Sequence, residues 1–339
     1  MAKYSQKIGE AIMKNTNEFK QLLTNKFWAG CIAIFCSILW GSAFPVLKIS
    51  YVELGIALDD LAAKIVFAGM RFLLSAIILL GMMMILNRKK LKLRVTYIPY
   101  VFTLGILSTS LQYFFFYNGL SNTSGMKAAI LSSSGIFFVV LLAHFIYKND
   151  QLDFRKLVGL VVGFSGIILA NWGANFTLQF SLFGEGFLLM SGLVSAFGTF
   201  LAKRLSMDIH PFALTGWQML FGSIILLAVG TPNLKEGAMS FTPFATGLLV
   251  YAACLSAAAF ALWFSLLKYH KAGEISYYKF VVPIAGAILS SVFLPSEQFS
   301  LNVLLALCLV SSGIFFVNRT DKENKSVMTK EYQLYKQHL

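Results

Sequence analysis

The sequence predicts an all-α integral membrane protein: ten transmembrane helices built as two inverted-topology five-helix repeats. Three observations predict it. Ten apolar segments each approach the roughly 20 residues that cross a hydrocarbon core of about 30 Å. Apolar residues make up 57% of the 339 positions and charged residues only 13%. Mean hydropathy is +0.71, and a soluble chain carries about twice that charge. Finally, a five-segment apolar block at 27–173 recurs at 183–317, between a basic tail at 1–26 and a second tail at 318–339.

The segments follow in order. Span 1 (27–49) carries "ILWGSAFPVLK" and is preceded by Lys3, Lys7, Lys14, Lys20 and Lys26. Span 2 (62–86) ends at Arg88, Lys89, Lys90, Lys92 and Arg94, and span 3 (97–119) leaves from there. Span 4 (126–147) is followed by Lys148, Arg155 and Lys156. Span 5 (157–173) contains "GLVVG", a small-residue seam for helix packing. Span 6 (183–204) opens on Glu185, where a helix N-terminus favours negative charge, and closes on Lys203 and Arg204. Spans 7 (211–230) and 8 (244–267) lead to Lys268 and Lys271. Spans 9 (275–294) and 10 (299–317) end before Arg319, Lys322, Lys325, Lys330 and Lys336.

These cations all fall on one side of the predicted membrane. The other side has little beyond Lys64, Lys127 and Lys235. The positive-inside rule therefore places both termini in the cytoplasm and the chain in the cytoplasmic membrane. The formal net charge of +13 is a topology signal, not a nucleic-acid footprint, because the cations sit between apolar runs. The N-tail is too polar and too long before span 1 for a signal peptide. Ile8, Ile12, Phe19, Leu22 and Leu23 near helical spacing fit an in-plane amphipathic helix, and a solvated tail fits equally well.

Catalytic chemistry finds no support. HExxH, GxSxG and Walker GK[ST] are absent, and His144, His210, His270 and His338 form no metal spacing. Cys31, Cys36, Cys254 and Cys308 lie inside apolar segments and read as packing residues. No cofactor is expected. No glycine-rich filter or charged ring suggests a channel.

The halves align at a nearly constant offset. "FLLSAIILLG" (72–81) lies on "MLFGSIILLA" (219–228), and "GFSGIIL" (163–169) on "SSGIFF" (311–316), both near 147. "YFFFYNGLSNTSGMKAAI" (113–130) lies on "ALWFSLLKYHKAGEISYY" (261–278) at 148. Five spans is an odd number, so the second half enters the membrane from the opposite side. Inverted repeats are a device of secondary transporters, with the solute site near the midplane between the repeats.

On these residues the chain resembles the drug/metabolite transporter superfamily, in particular the EamA-type ten-helix carriers. "ILWGSAFPVLK", "GMRFLLSAIILL", "LVGLVVGFSGIIL" and "GEGFLLMSGLVSAFGTFLAKRLS" carry the resemblance, as does Pro283 in span 9. Ser134, at the equivalent place in span 4, departs from the pattern, as does "YKND" (147–150) after it. The resemblance implies a central cavity lined by spans 1, 3, 4, 6, 8 and 9. It also implies transport of a small organic solute, with amino-acid or metabolite export foremost. An organic cation held in an aromatic box is the alternative within transport, and a channel or lipid-handling protein is a remote one.

Helical stripes select the candidate residues. Span 1 offers Ser37, Trp40 and Phe44; span 3 offers Ser108, Gln112 and Phe116; span 8 offers Ser256, Phe260 and Phe264, with Trp263 alongside. Ser195 in span 6 and Ser133 in span 4 complete the set. Each stripe reads either as cavity lining or as a helix-packing seam. Lys279 shares a stripe with Pro283 and Gly286, and the proline frees a carbonyl at its level. It is placed either to receive an anionic group or to snorkel to the surface. Lys48 reads as a structural snorkeller; Arg71, in the "RFLL" context of the family it resembles, reads as a snorkeller or helix cap ahead of a substrate contact. Trp28, Trp172 and Tyr251 read as interfacial anchors, and Trp217 as peripheral. Without a carboxylate at mid-membrane, facilitated export or exchange is favoured over strict proton symport, with Glu185 keeping a proton-coupled route open. The partners expected are the solute and membrane lipid. The Gly159/Gly163/Gly166 stripe leaves a homodimer open.

Overall fold

The computed structural model describes residues 18–57, 59–122, 131–170, 180–294 and 301–318, and their regular structure is all helical. α1 (Lys26–Leu54) starts where the Asn25 side chain accepts the N–H groups of Phe27 and Trp28. It stops at Gly55, whose φ of 72° is a left-handed cap that glycine adopts without strain. α2 (Leu61–Leu91) is capped by the Asp60 carboxylate on the Ala63 N–H. α3 (Val95–Ser121), α4 (Ser134–Ile146) and α5 (Phe154–Ala170) follow. Then come α6 (Leu182–Asp208), α7 (Pro211–Asn233), α8 (Pro243–Tyr269), α9 (Ala272–Phe293) and α10 (Leu301–Asn318). Most run a few residues past the predicted spans, because polar caps outside the apolar run close their ends.

Among the described residues, seven helices are long and apolar enough to cross a membrane: α1, α2, α3, α6, α7, α8 and α9. α4 and α10 are shorter apolar helices. Parts of predicted spans 4, 5 and 10, Trp172 and most of both tails lie outside the described residues.

Packing follows small residues. α2 lies against α7, and α5 against α10; α1 packs on α8 and α9, and α6 on α3 and α4. Gly69 of α2 sits directly against Leu227, and Gly216 of α7 against Leu80, so these helices run antiparallel. Gly166 of α5 sits on the Ala306 carbonyl and Gly313 of α10 on that of Gly159. In each of these helix pairs, one contact becomes the other when both residues are exchanged for those 147 positions away. Gly163 faces Phe280. The Gly159/Gly163/Gly166 stripe is therefore covered by the chain's own α9 and α10.

One end of the bundle gathers the basic loops. The Lys203 ammonium donates to the Leu267 carbonyl at 2.8 Å and also to that of His270. His270 Nε2 lies 2.7 Å from the Leu23 carbonyl, so the helical segment at 18–24 docks on this end and buries Leu23. That part of the N-tail is packed, not solvated. Asp150 is 1% exposed. Its carboxylate pairs with Lys156 at 2.7 Å and accepts the Gly273 N–H at 2.7 Å. Tyr277 donates to the Lys156 carbonyl at 2.5 Å. This clamp ties the α4–α5 loop to the start of α9. The unusual "YKND" sequence thus supplies a structural carboxylate.

His210 lies between α6 and α7, with Nδ1 buried and unpartnered. Burial, then the charges of Lys90 and Lys268, push its pKa down to about 4. An unfolded histidine titrates near 6.5, so between these values the unfolded chain binds more protons. The stability His210 contributes is present above pH ~6.5 and is lost as pH falls toward ~4. Thermal unfolding at pH 7.5 and 4.5 checks this. The wild-type midpoint should fall further on acidification than that of His210→Gln; equal falls would remove His210 from the acid limb.

Candidate functional site

The site forms where α9 changes its winding. A 3₁₀ turn, Tyr277–Phe280, separates the helical pieces Ala272–Ser276 and Val281–Phe293. Pro283, one turn later, has no N–H for the carbonyl of residue 279. The Ser37 hydroxyl lies 2.9 Å from the Tyr278 carbonyl and pins the turn to α1. Lower side-chain volume lets the helices close: Gly41 of α1 meets Ala285 and Gly286, and Gly286 meets the Phe44 ring.

This turn aims Lys279 into the bundle. Its Nζ lies 4.8 Å from the Trp263 ring centroid and 5.4 Å from that of Trp40. The two indoles are 5.3 Å apart at 62°. Phe260 completes the group, 5.3 Å from Trp40, with Phe264 a further 6.2 Å on. Both indole Nε1 atoms are buried without a hydrogen-bond partner. Trp40 is about 21 Å along a helix of about 44 Å, while Trp263 and Lys279 stand about 9–10 Å from the basic ends of α8 and α9, so the cluster lies inside the bundle toward its basic end. No carboxylate pairs with Lys279 among the described residues.

Magnitudes decide what such an arrangement can do. A desolvated cation–π contact is worth about 2 kcal/mol. Taking an ammonium out of water costs several kcal/mol. Two rings offset part of that cost, and an incoming anion would offset the rest. Two unpartnered indole N–H donors beside the cation add hydrogen bonds that such an anion could accept.

The predicted residues separate into groups. Trp40, Phe260, Trp263, Phe264 and Lys279 come together. Phe116 belongs to a neighbouring ring group, 6.4 Å from Tyr113 and 5.6 Å from Tyr117. Phe44 packs on Gly286. Gln112, Ser133 and Ser195 lie on the α3–α4–α6 side. There the Gln112 carbonyl accepts the Ser191 hydroxyl at 2.9 Å, and the Ser195 carbonyl that of Thr199 at 2.9 Å. Gly198 packs on Ser108 and Gly192 on Ser134, so that side is a helix seam. Tyr251 reaches Ser42 of α1 at 3.0 Å and is more than an interfacial anchor.

Arg71 requires a correction. It is 3% exposed, with its guanidinium 4.3 Å from the Phe72 ring centroid and 5.4 Å from that of Tyr113. It neither snorkels nor caps: it starts about 15 Å inside α2 and its head turns to α3. Phe72 also lies 4.7 Å from Tyr113 and 6.4 Å from Phe260, so a ladder of rings links Arg71 to the Lys279 cluster. The stripes could not reveal Phe72 and Tyr113, which lie off the repeat-matched faces. A charged residue ten positions inside an apolar run was the available signal.

The family profile of the EamA-like transporters matches the chain twice, at 27–172 and at 182–319. This chain belongs to the EamA-like transporter family.

Among its relatives is the uncharacterized transporter YvbV of Bacillus subtilis, 26% identical, with 86% of this chain and 92% of that one covered. An uncharacterized transporter of Archaeoglobus fulgidus is 26% identical, covering 83% and 95%. The uncharacterized inner membrane transporter YedA of Escherichia coli is 25% identical over 62% of this chain and 61% of its own. A solved crystal structure superposes with a TM-score of 0.68 at 13% identity, over 86% of this chain and 96% of the other, which shows the fold alone. This EamA-like chain is an integral membrane transport protein and not an enzyme.

Proposed function

We propose that this protein is a secondary transporter of a small, carboxylate-bearing organic solute, moved across the cytoplasmic membrane by alternating access of two inverted five-helix halves. Export of amino acids or related metabolites is the direction favoured. The observation that carries the reading is the Lys279 ammonium held against Trp40 and Trp263 without a carboxylate partner among the described residues.

Three observations support the alternating-access part. The family profile matches each half separately. The contacts of α2 with α7, and of α5 with α10, exchange under the sequence offset of the repeat. The winding change at Lys279 lies in α9, where a broken helix can present polar groups inside the membrane. The cationic end of the bundle supports cytoplasmic placement of that end. The same cluster argues against a quaternary amine as solute, since the aromatic faces already hold the chain's own cation.

Reconstituted vesicles test the proposal. Vesicles loaded with an unlabelled amino-acid mixture should accumulate labelled amino acid against its gradient, with saturable kinetics. Flux linear in concentration would indicate a pore. No exchange of any amino acid, alongside saturable choline exchange, would overturn the carboxylate reading.

A further inference from the structure

We propose that Arg71, with the hydroxyls of Tyr51 and Tyr117, forms a second binding site, for a carboxylate or phosphate oxyanion, at the far end of the ring ladder from Lys279. This deepens the transport reading, because it gives the anionic solute a second station on its route. The site itself stands on its own geometry.

Arg71 is buried, its Nε has no hydrogen-bond partner, and no carboxylate pairs with it among the described residues. The ionisable groups facing it are Tyr51 of α1 and Tyr113 and Tyr117 of α3. The Tyr51 and Tyr117 hydroxyls are themselves buried, interact with each other and have no other hydrogen-bond partner. A buried cation beside a paired set of hydroxyls, which keeps one O–H free to donate, lacks an acceptor of negative charge. A guanidinium presents a planar fork of donors that matches a carboxylate or phosphate in two hydrogen bonds. Phe72 and Tyr113 lie against it, and the Tyr113 side chain also bonds it, while Nε keeps an unused N–H. Burial of this depth excludes a lipid headgroup, so the ligand is a soluble oxyanion.

The repeat supplies an independent argument. At the offset of 147 that relates Gly69 to Gly216, Arg71 corresponds to Gln218. Gln218 is fully buried and its Oε1 accepts the Thr109 hydroxyl at 2.8 Å. At the equivalent place the fold holds a neutral amide, bonded through Oε1 and with its Nε2 buried and unpartnered. The packing of α2 therefore does not demand a charge at position 71, and its presence in one half alone marks use rather than architecture.

The test uses the full chain purified in detergent, with thermal unfolding in acetate, glutarate or inorganic phosphate against chloride of equal ionic strength. Wild type should show a saturable upward shift with at least one oxyanion. Arg71→Met, which keeps the apolar stem, should unfold at the same or a higher temperature without ligand and lose that shift. Arg71→Lys should keep part of it. Arg71→Met unfolding well below wild type without ligand, or shifting as wild type does, would overturn the site. The arms also separate this site from the transport reading. An Arg71-dependent shift in a protein that exchanges no amino acid would leave the site standing and remove the transport reading. Normal exchange by Arg71→Met, with an unchanged shift, would do the reverse.

Discussion

Lys279→Met is expected to abolish solute exchange in vesicles while the protein still folds. Losing the charged partner of a desolvated carboxylate costs roughly 2–5 kcal/mol, and about 1.4 kcal/mol is tenfold in affinity. The half-saturating concentration should therefore rise by about 30-fold to several thousand-fold. The unliganded protein should not suffer. The ammonium lies against Trp40 and Trp263 with no carboxylate, so methionine of similar length removes a desolvation cost and keeps the ring contacts. Lys279→Arg keeps the charge and should retain part of the flux. Paired flux and thermal-unfolding measurements decide it. Normal exchange by Lys279→Met would discard the role, and a collapsed unfolding temperature would make the lysine structural.

Asp150→Ala should give the largest loss of stability. The substitution leaves the Lys156 ammonium facing only the Gln151 carbonyl and strips the Gly273 N–H of its acceptor. Breaking a buried pair from one side costs about 3–5 kcal/mol, because the other charge stays behind. At about 2–4 °C per kcal/mol for a chain larger than a small domain, the unfolding midpoint should fall by about 10 °C. The double substitution Asp150→Asn with Lys156→Met removes both charges and should recover part of that. A midpoint within a degree of wild type for Asp150→Ala would mean the clamp contributes nothing.

Sequence alone carried the helices because a membrane span has one dominant requirement, a long apolar run, and loops collect the charges. The contacts of Gly69 and Gly216 with Leu227 and Leu80 obey the offset already visible in "FLLSAIILLG" and "MLFGSIILLA". The sequence suggested an aromatic box of Trp40, Phe116, Phe260 and Trp263; Trp40, Phe260 and Trp263 do lie together, while Phe116 joins Tyr113 and Tyr117 instead. Less legible was the choice between cavity and seam. Ser108 and Ser195 have the same spacing as lining residues, yet α6 meets α3 through Gly198 and α4 through Gly192, and only the helix crossing reveals that. Arg71 was misread for a related reason. A long side chain inside a span can snorkel or turn inward, and Phe72 and Tyr113, which turn it inward, lie on two different helices. Asp150 gave no warning either, since its partners Lys156 and Gly273 come together only when the loops do.

The central claim is that the two halves exchange conformations about the Lys279 cluster. Electron–electron distance measurements on spin-labelled protein, with Cys31, Cys36, Cys254 and Cys308 replaced, test it most directly. One label pair at the exposed Val52 and Phe183 reports the end away from the basic loops, and one at the exposed Val95 and Met207 reports the basic end. The account predicts two populations at each end, with solute driving one pair closer as the other opens. A single distance at both ends, unmoved by any exchanged solute, would contradict it.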